Sequence, residues 1–523
     1  MPPKFLNLFR LAVVYTIFSA PASLALAETE PTSEVALLRA QVAELKALVT
    51  AQHDADIQKI STLTAELETL KGEVGPHAPG RDGTAQAAPV ADAARQPDDR
   101  IGVPRVVQNS AHRLALQSAD GQYAIGFSGN LQIDLGAYDI RPGSAAVAPQ
   151  TLANGLNARR ARIGVVGSAP GGWGFAFVYD AGNSSDQTPK GIETAQLVYG
   201  GLKGAAFEFG YSNTYFTLDQ ATSSNDTLFL ERSSASNIAT NINTGDSRSN
   251  AGVRLFGDRY WVGGYLTGPA SGDSHTVVAE RFGAFERAAF QVLKGPDYSL
   301  HLGLGFDQLF QASNSGAGTP ATLTLSDQPE LRIDPTQLLS ATVGSAANPV
   351  RRASVLDIET AGTLGPLFWQ GEYYAYQVER SGLKAADFTG AYGQLSWSLT
   401  GEQHAYNPQA AAYYRLVPRT AFDWRNGTWG AWEVAARIDY VDLDSHFIAG
   451  QALSALPAAV DGGRQRGLSL GLNWYPNDII RVLLDYNHVT EDKLTGVVLK
   501  GSPLGAQIGA RLDAVAVRVQ AAY

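Results

Sequence analysis

The 523-residue chain contains no cysteine, which excludes disulfide bridges and thiolate metal sites alike. It has no basic excess either: 40 Lys and Arg stand against 50 Asp and Glu, a formal charge of -10. Nucleic-acid binding is marked by a clustered positive surplus, so no nucleic-acid partner is expected. Nor does any internal window carry the run of about 20 apolar residues that a membrane helix needs. Composition alone therefore suggests a soluble protein. That inference fails for one class, because a membrane β-barrel hides its apolar surface in alternate residues.

Signs of catalysis are scarce as well. "GLSLG" (467–471) matches the G-x-S-x-G pattern, but that motif acts from a sharp strand-to-helix elbow, and Ser469 lies within an alternating stretch. No catalytic residue is assigned, and a hydrolase would have to show activity lost on Ser469→Ala. His53, His275, His301, His404, His446 and His488 show no metal-ligand spacing and no acidic partner pattern, so no metal and no cofactor are expected.

What is present begins with an address. Lys4 and Arg10 precede the apolar "LAVVYTIFSA", and Ala25-Leu26-Ala27 follows, which reads as a secretory signal peptide over residues 1–27. Residues 28–75 form a polar, helix-prone segment. Leu38, Val42, Leu45 and Val49 make one apolar seam, and Ile60, Leu63, Leu67 and Leu70 a second, out of phase across His53 and Asp56. So narrow a stripe buries itself against a partner helix, so a self-associating α-helical coiled coil in the periplasm is expected, with a solvated single helix or a partly disordered arm as the alternative. Residues 76–111, rich in Pro, Gly and Ala, read as a linker.

From residue 112 the period changes to two. In "WEVAARIDY", Trp432, Val434, Ala436, Ile438 and Tyr440 share one face, and Glu433, Arg437 and Asp439 the other. "LSLGLNW" and "IRVLLDY" repeat the pattern, which describes a wall between an apolar and an aqueous phase. A soluble sandwich alternates in the same way, so the connections must decide. Tight breaks at 168–172, 200–204, 257–259, 363–366 and 475–478 separate long polar stretches near 140–157, 213–247, 310–351, 442–466 and 490–508. Short turns at one end and long loops at the other indicate an all-β, transmembrane antiparallel barrel of about 16 strands over 112–523. One connection, 401–428, is long where a short turn is due. Trp173, Trp261, Trp397, Trp474 and Tyr475, near strand ends, suit interfacial girdles. The last strand alternates Val515, Val517, Val519 and Ala521 and ends on Tyr523. That ending looks like the signal by which the barrel assembly machinery recognises its clients.

Several strings then resemble a known family. "RRARIGV", "TSSNDTLFLER", "EYYAYQVER", "GAWEVAARIDYVDL" and "GLNWYPNDIIRVLLDYN", in this order along the barrel, are similar to the phosphate-selective porin O and P family. The resemblance implies a homotrimer of sixteen-stranded outer-membrane barrels set in lipid and lipopolysaccharide. It also implies a third and a fifth long loop that fold inward with anion-binding arginines and lysines. Arg159 and Arg160 match the family's paired arginine, and Arg332 in "QPELRIDP" sits where the fifth loop carries arginine. Gln328, Glu330 and Asp334 stand where basic residues are found in strongly phosphate-selective members, and Asn225 stands where lysine is common. Asn130 takes a position that can be arginine.

A pore needs a constriction and a sign of charge there, not a net charge. Arginine suits oxyanions because its planar fork gives two hydrogen bonds and keeps its charge. With Ala161, Ile163 and Val165 toward lipid, Arg160 and Arg162 face the lumen and Arg159 the loop edge. Arg254, Arg437, Arg481 and Arg518 are further lumen candidates, sharing that wall with Glu208, Asp439 and Asp485. Each arginine has two readings, anion binding or a salt bridge that holds the barrel open; for Arg332, Asp334 or Glu330 is the expected counter-charge. The expected function is a diffusion channel for small hydrophilic solutes with a modest anion preference. The alternatives are a general or weakly cation-favouring porin, and a tether joining the outer membrane to peptidoglycan through the coiled coil.

Overall fold

The computed structural model describes residues 105–108, 114–142, 151–182, 191–243, 245–271, 279–314, 320–448, 451, 455–494 and 507–523. The expected signal peptide, the expected coiled-coil segment and most of the expected linker lie outside the described residues.

A short hairpin, β1 (Arg105–Gln108) and β2 (Leu114–Gln117), leads into the barrel. The barrel strands begin with β3 (Ala124–Pro142), β4 (Gly155–Ala169), β5 (Trp173–Asp180), β6 (Gly191–Tyr199) and β7 (Ala205–Asn213). They continue with β8 (Ser247–Phe256), β9 (Tyr260–Thr267), β10 (Phe282–Lys294) and β11 (Tyr298–Gln311). A hairpin, β12 (Leu323–Asp327) with β13 (Leu339–Val343), interrupts the wall before β14 (Val350–Leu364), β15 (Leu367–Arg380) and β16 (Ala386–Ser398). After a two-residue pair, β17 (Tyr406–Asn407) with β18 (Ala412–Tyr413), the wall ends with β19 (Ala431–Ser445), β20 (Val460–Tyr475), β21 (Ile480–Leu494) and β22 (Gln507–Ala522).

Every wall strand pairs antiparallel with its neighbours, and β22 closes on β3 with Val517 opposite Leu135 and Arg518 opposite Asp134. Sixteen strands thus form a closed barrel with no free edge. Closure is completed by the C-terminus, where Tyr523 and Gly129 exchange both backbone hydrogen bonds, at 2.8 and 2.9 Å.

The alternation has its expected physical meaning. Ile163 is 69% exposed and Ile438 66%, on the outer face, whereas Arg518 and Gln520 on the inner face are each 1% exposed. An apolar outside around a charged inside reverses the soluble arrangement, and lipid is the solvent that such an outside fits.

At the turn end the connections are mostly tight, as at 170–172, 257–259 and 365–366. At the loop end, 214–246 and 312–349 are long, whereas 381–385 is only a short link. The turn-end connection 399–430 is the exception foreseen from the sequence. Two aromatics expected in the girdles do not belong there. Trp261 and Tyr475 are buried on the inner face, where Trp261 donates to the Gln409 carbonyl at 2.9 Å and Tyr475 to Glu433 at 2.6 Å. Position near a strand end suggested a girdle, but the strand phase turns both rings inward.

Candidate functional site

Three segments fold into the lumen. The first, 214–246, carries two helices, α1 (Leu218–Ala221) and α2 (Ser234–Asn241). Thr217 caps α1 and Ser233 caps α2, each accepting a backbone N–H through its hydroxyl. The barrel wall supplies a further acceptor: Glu372 on β15 takes the N–H groups of Leu218 and Asp219 at 2.7 and 3.1 Å. The apolar side of α2, with Ala235, Ile238 and Ala239, packs in one cluster with Leu325, Leu339, Tyr376 and Phe388. Wall glycines make room for this loop. A Cβ at Gly305 would lie 2.4 Å from the Phe216 carbonyl oxygen.

The second segment, 312–349, lays the β12–β13 hairpin against β20 and β19 and sends Leu331 and Ile333 over Gly136, whose added Cβ would lie 2.7 Å from Ile333. The third, 399–430, enters from the turn end. Its tip carbonyls, at Gln409, Ala410 and Ala411, accept from Arg254 and Trp261 and from Arg287 at 2.9 and 2.7 Å. The segment leaves the wall between β16 and β19 and reaches β8–β10, so it bars the lumen. Phe229 and Leu218 of the first segment pack in one cluster with its Ala410, Ala412 and Tyr413.

Most of the expected arginines meet carboxylates, some from these insertions and some from the wall. A β-bulge between Gln132 and Ile133 of β3 lets two successive residues of β4, Arg159 and Arg160, both point inward. Arg159 therefore does not sit at the loop edge. It makes a two-pronged pair with Glu231 at 2.8 and 2.9 Å. Glu231 also meets Arg518 at 2.7 Å and Arg332 at 3.8 Å. Arg518 in turn forks onto Asp134 at 2.6 and 2.7 Å. Arg332 pairs with Asp327 at 2.6 Å and with Gln328. Its counter-charges are thus Asp327 and Glu231, not Asp334, which accepts from the Ala153 and Thr336 N–H groups, nor Glu330, which takes Arg437. Arg162 faces Asp180 and Glu193, each at 2.8 Å. Arg254 pairs with Glu208 at 3.0 Å. Asp439 and Asp485 are buried on the same wall, and Asp485 accepts the Leu230 N–H at 2.7 Å.

Arg160 and Arg481 have no carboxylate within ion-pair distance among the described residues. They end a single row across four adjoining strands, in which Arg481 lies opposite Gln520, Gln520 opposite Gln132, and Gln132 opposite Arg160. Arg160 donates to Gln132 at 2.7 Å, Gln132 to Gln520 at 3.0 Å, and Gln520 to the Asn225 carbonyl at 3.1 Å. Arg481 lies over the Tyr475 ring at 5.0 Å and points at the Asn225 and Leu228 carbonyls, each at 3.4 Å. The row holds two cations, two amides and a loop backbone. The Nε atoms of both arginines have no hydrogen-bond partner among the described residues.

The loop carboxylates feel these surroundings differently. Burial opposes ionisation of Glu231, yet Arg159 and Arg518 outweigh it and hold this carboxyl well below the usual range. Glu330 is pushed up to about 7 by burial and by Asp439, against Arg437. Burial raises Asp327 to about 6 despite Arg332.

Two further groupings were hidden in the sequence. Histidines that looked solitary have carboxylate partners in space: His301 with Glu359 at 3.0 Å, His404 with Glu433 at 2.7 Å and His488 with Asp513 at 2.8 Å. Asp357, Glu359 and Glu372 gather their oxygens within 4.8 Å of one another. Of these, Glu359 is held by Arg287 and His301 and Glu372 by α1, while Asp357 has no hydrogen-bond partner among the described residues. Ser469 lies in regular β20 pairing opposite Arg437, without the elbow that a nucleophilic serine needs.

A model of the phosphate-selective porin O and P family matches residues 125–513. The chain belongs to that family. It is similar to Porin O of Pseudomonas aeruginosa, with 26% identity over 399 residues, 73% of this chain and 86% of that protein. An uncharacterized protein of Caulobacter vibrioides is 24% identical over 498 residues, 93% of this chain and 91% of that one. Among solved structures, the anion-selective porin of Comamonas acidovorans superposes with a TM-score of 0.43 at 13% identity, covering 77% of this chain and 100% of that one. That distance says nothing of the lumen. Family and barrel together make this porin an outer-membrane channel, not an enzyme.

Proposed function

We propose that this porin is a diffusion channel for small hydrophilic solutes with a modest preference for anions of the phosphate type. The observation that carries the proposal is Arg160. Its neighbours Arg159, Arg162 and Arg518 are paired with carboxylates, whereas Arg160, on the lumen wall, has no carboxylate within ion-pair distance among the described residues. In a narrow lumen with a low-dielectric wall, one such charge outweighs distant ones of the opposite sign. With few free arginines, binding stays weak enough for release. The Pseudomonas relative's name, Porin O, and the family description agree with this reading. Reversal potentials across planar bilayers in a salt gradient test it: the wild type favours the anion, and Arg160→Ala reduces that preference.

A second reading, a general or weakly cation-favouring porin, draws on the pairing of the other arginines and on Asp439, whose two carboxylate oxygens have no hydrogen-bond partner among the described residues. A cation preference unchanged by Arg160→Ala supports it over the first. The functional unit is proposed to be a homotrimer, with residues 28–75 contributing to self-association.

A further inference from the structure

The bar across the lumen has an outer half. Past Arg419 the chain 420–430 turns over the rim of the barrel, and Phe422 binds the Pro476 carbonyl of the adjoining turn through its N–H at 2.6 Å. A small loop follows, closed by a bridge between Asp423 and Thr428. The Asp423 carboxylate accepts from the Arg425 N–H and from Asn426, and Gly427 takes a φ of +68°. This loop places rings against the outer face of the wall. Trp432 and Trp474 are cross-strand neighbours on that face, stacked at 5.6 Å. Phe422 meets Trp474 edge-on at 5.3 Å and Trp429 at 5.8 Å, and the Trp474 indole donates to the Trp429 carbonyl at 2.8 Å. Trp424 and Trp429 nevertheless remain 71% and 61% exposed.

Two tryptophans held out by a hydrogen-bonded loop lose their apolar area to water unless something covers them. The cover is indicated by continuity. The cluster grows out of the lipid-facing rows that hold Val434 and Ile438 on β19 and Leu470 on β20, and it lies at the turn end, where such a wall meets a headgroup layer. Indole has an apolar body and a polar N–H, the combination that settles at a membrane–water boundary. Arg425, with its guanidinium 5.6 Å from the Trp424 ring, and the exposed Arg419 add positive charge at the same level.

We infer that residues 420–430 form a membrane-interface anchor that inserts Trp424 and Trp429 into the phospholipid headgroup layer at the turn end of the barrel. This rests on the outer-membrane reading of the barrel. The anchor holds the foot of the segment whose other half bars the lumen, so the lipid layer and the bar share one piece of chain.

The absence of cysteine makes the test clean, because one introduced thiol is unique. The full chain, reconstituted in phosphatidylethanolamine–phosphatidylglycerol vesicles, is spin-labelled at Trp424→Cys, at Ile438→Cys in the outer wall, and at Lys203→Cys in another turn. Collision with oxygen is compared with collision with a polar nickel chelate. The ratio of oxygen to nickel accessibility at 424 is expected to be several-fold above that at 203 and below that at 438. A ratio at 424 equal to that at 203 overturns the anchor. So does dipolar broadening between labels at 424, which would mean that a second copy of the chain covers the site. A low ratio at 438 would instead overturn the membrane reading itself. Trp429→Cys, read in the same way, gives a second position if the first variant fails to insert.

Discussion

Arg159 and Arg160 are adjacent in sequence and opposite in circumstance. Arg159 is spent on Glu231, whereas Arg160 donates to the amide of Gln132 and has no ion pair among the described residues. Removing one partner of a buried pair leaves the other charge stranded, typically at a cost of about 3–5 kcal/mol. Arg159→Ala is therefore expected to loosen the 214–246 segment, although Arg518 still meets Glu231, and to broaden the distribution of single-channel conductance. Arg160→Ala is expected to leave conductance steadier and to change selectivity. Single-channel recordings of both variants separate the two roles. The pair was legible in the sequence as a match to the family. Which member stays free was not, because it depends on a bulge and on a carboxylate 72 residues away.

Glu330 and Asp327 supply a second prediction at this scale. Around Glu330 stand Arg437, Asp439, Ser234 and Gln465; around Asp327 stand Arg332, Asn237 and Glu330. Both carboxyls have folded-state pKa values above their ordinary ones, near 7 and near 6. Between the unfolded and folded values the native state binds more protons. Their contribution to stability is thus fully present at acidic pH and is lost as pH rises through about 7. For conduction, protonation of Glu330 removes the charge that faces Arg437, whereas Arg332 keeps Glu231. Anion preference should rise as pH is lowered from about 8 to about 5, and Glu330→Gln should flatten part of that rise; reversal potentials across the pH series show either outcome.

Among the elements, the three inserted segments decide how open the barrel is. Gly305 lets the Phe216 carbonyl approach the wall, and Arg287 grips the tip of 399–430 through two carbonyls while pairing with Glu359 at 3.0 Å. Gly305→Val should push the 214–246 segment from the wall and change single-channel conductance. Arg287→Met should free the tip of the bar and raise open-channel noise, with a smaller effect on ion preference than Arg160→Ala. The lengths of these segments could be read from the sequence, including the out-of-place connection 399–430. Their inward course could not, because it rests on carbonyl–arginine contacts between residues more than 120 positions apart, such as Arg287 with Ala410 and Ala411.

At the scale of the whole molecule, strand period and loop asymmetry carried the architecture. The wall strands, down to the closing one, follow from alternation that the outer face needs for lipid, and the odd connection from the lengths of the breaks between them. Alternation assigns faces but does not pair charges. It puts Arg437 and Asp485 on the inner face, where both are buried, yet it could not tell that Glu330 meets Arg437. The formal charge of -10 likewise says little about a pore, where the charges on the lumen wall count for more than the sum over the chain.

The most direct measurement is the zero-current potential of the purified channel in a tenfold gradient of potassium chloride or phosphate, for wild type and Arg160→Ala. The expected result is a potential of the sign for anion selectivity in the wild type, moved toward zero by the substitution. A wild-type potential of the cation-selective sign, unchanged by Arg160→Ala, would contradict the anion role while leaving the barrel and its channel intact.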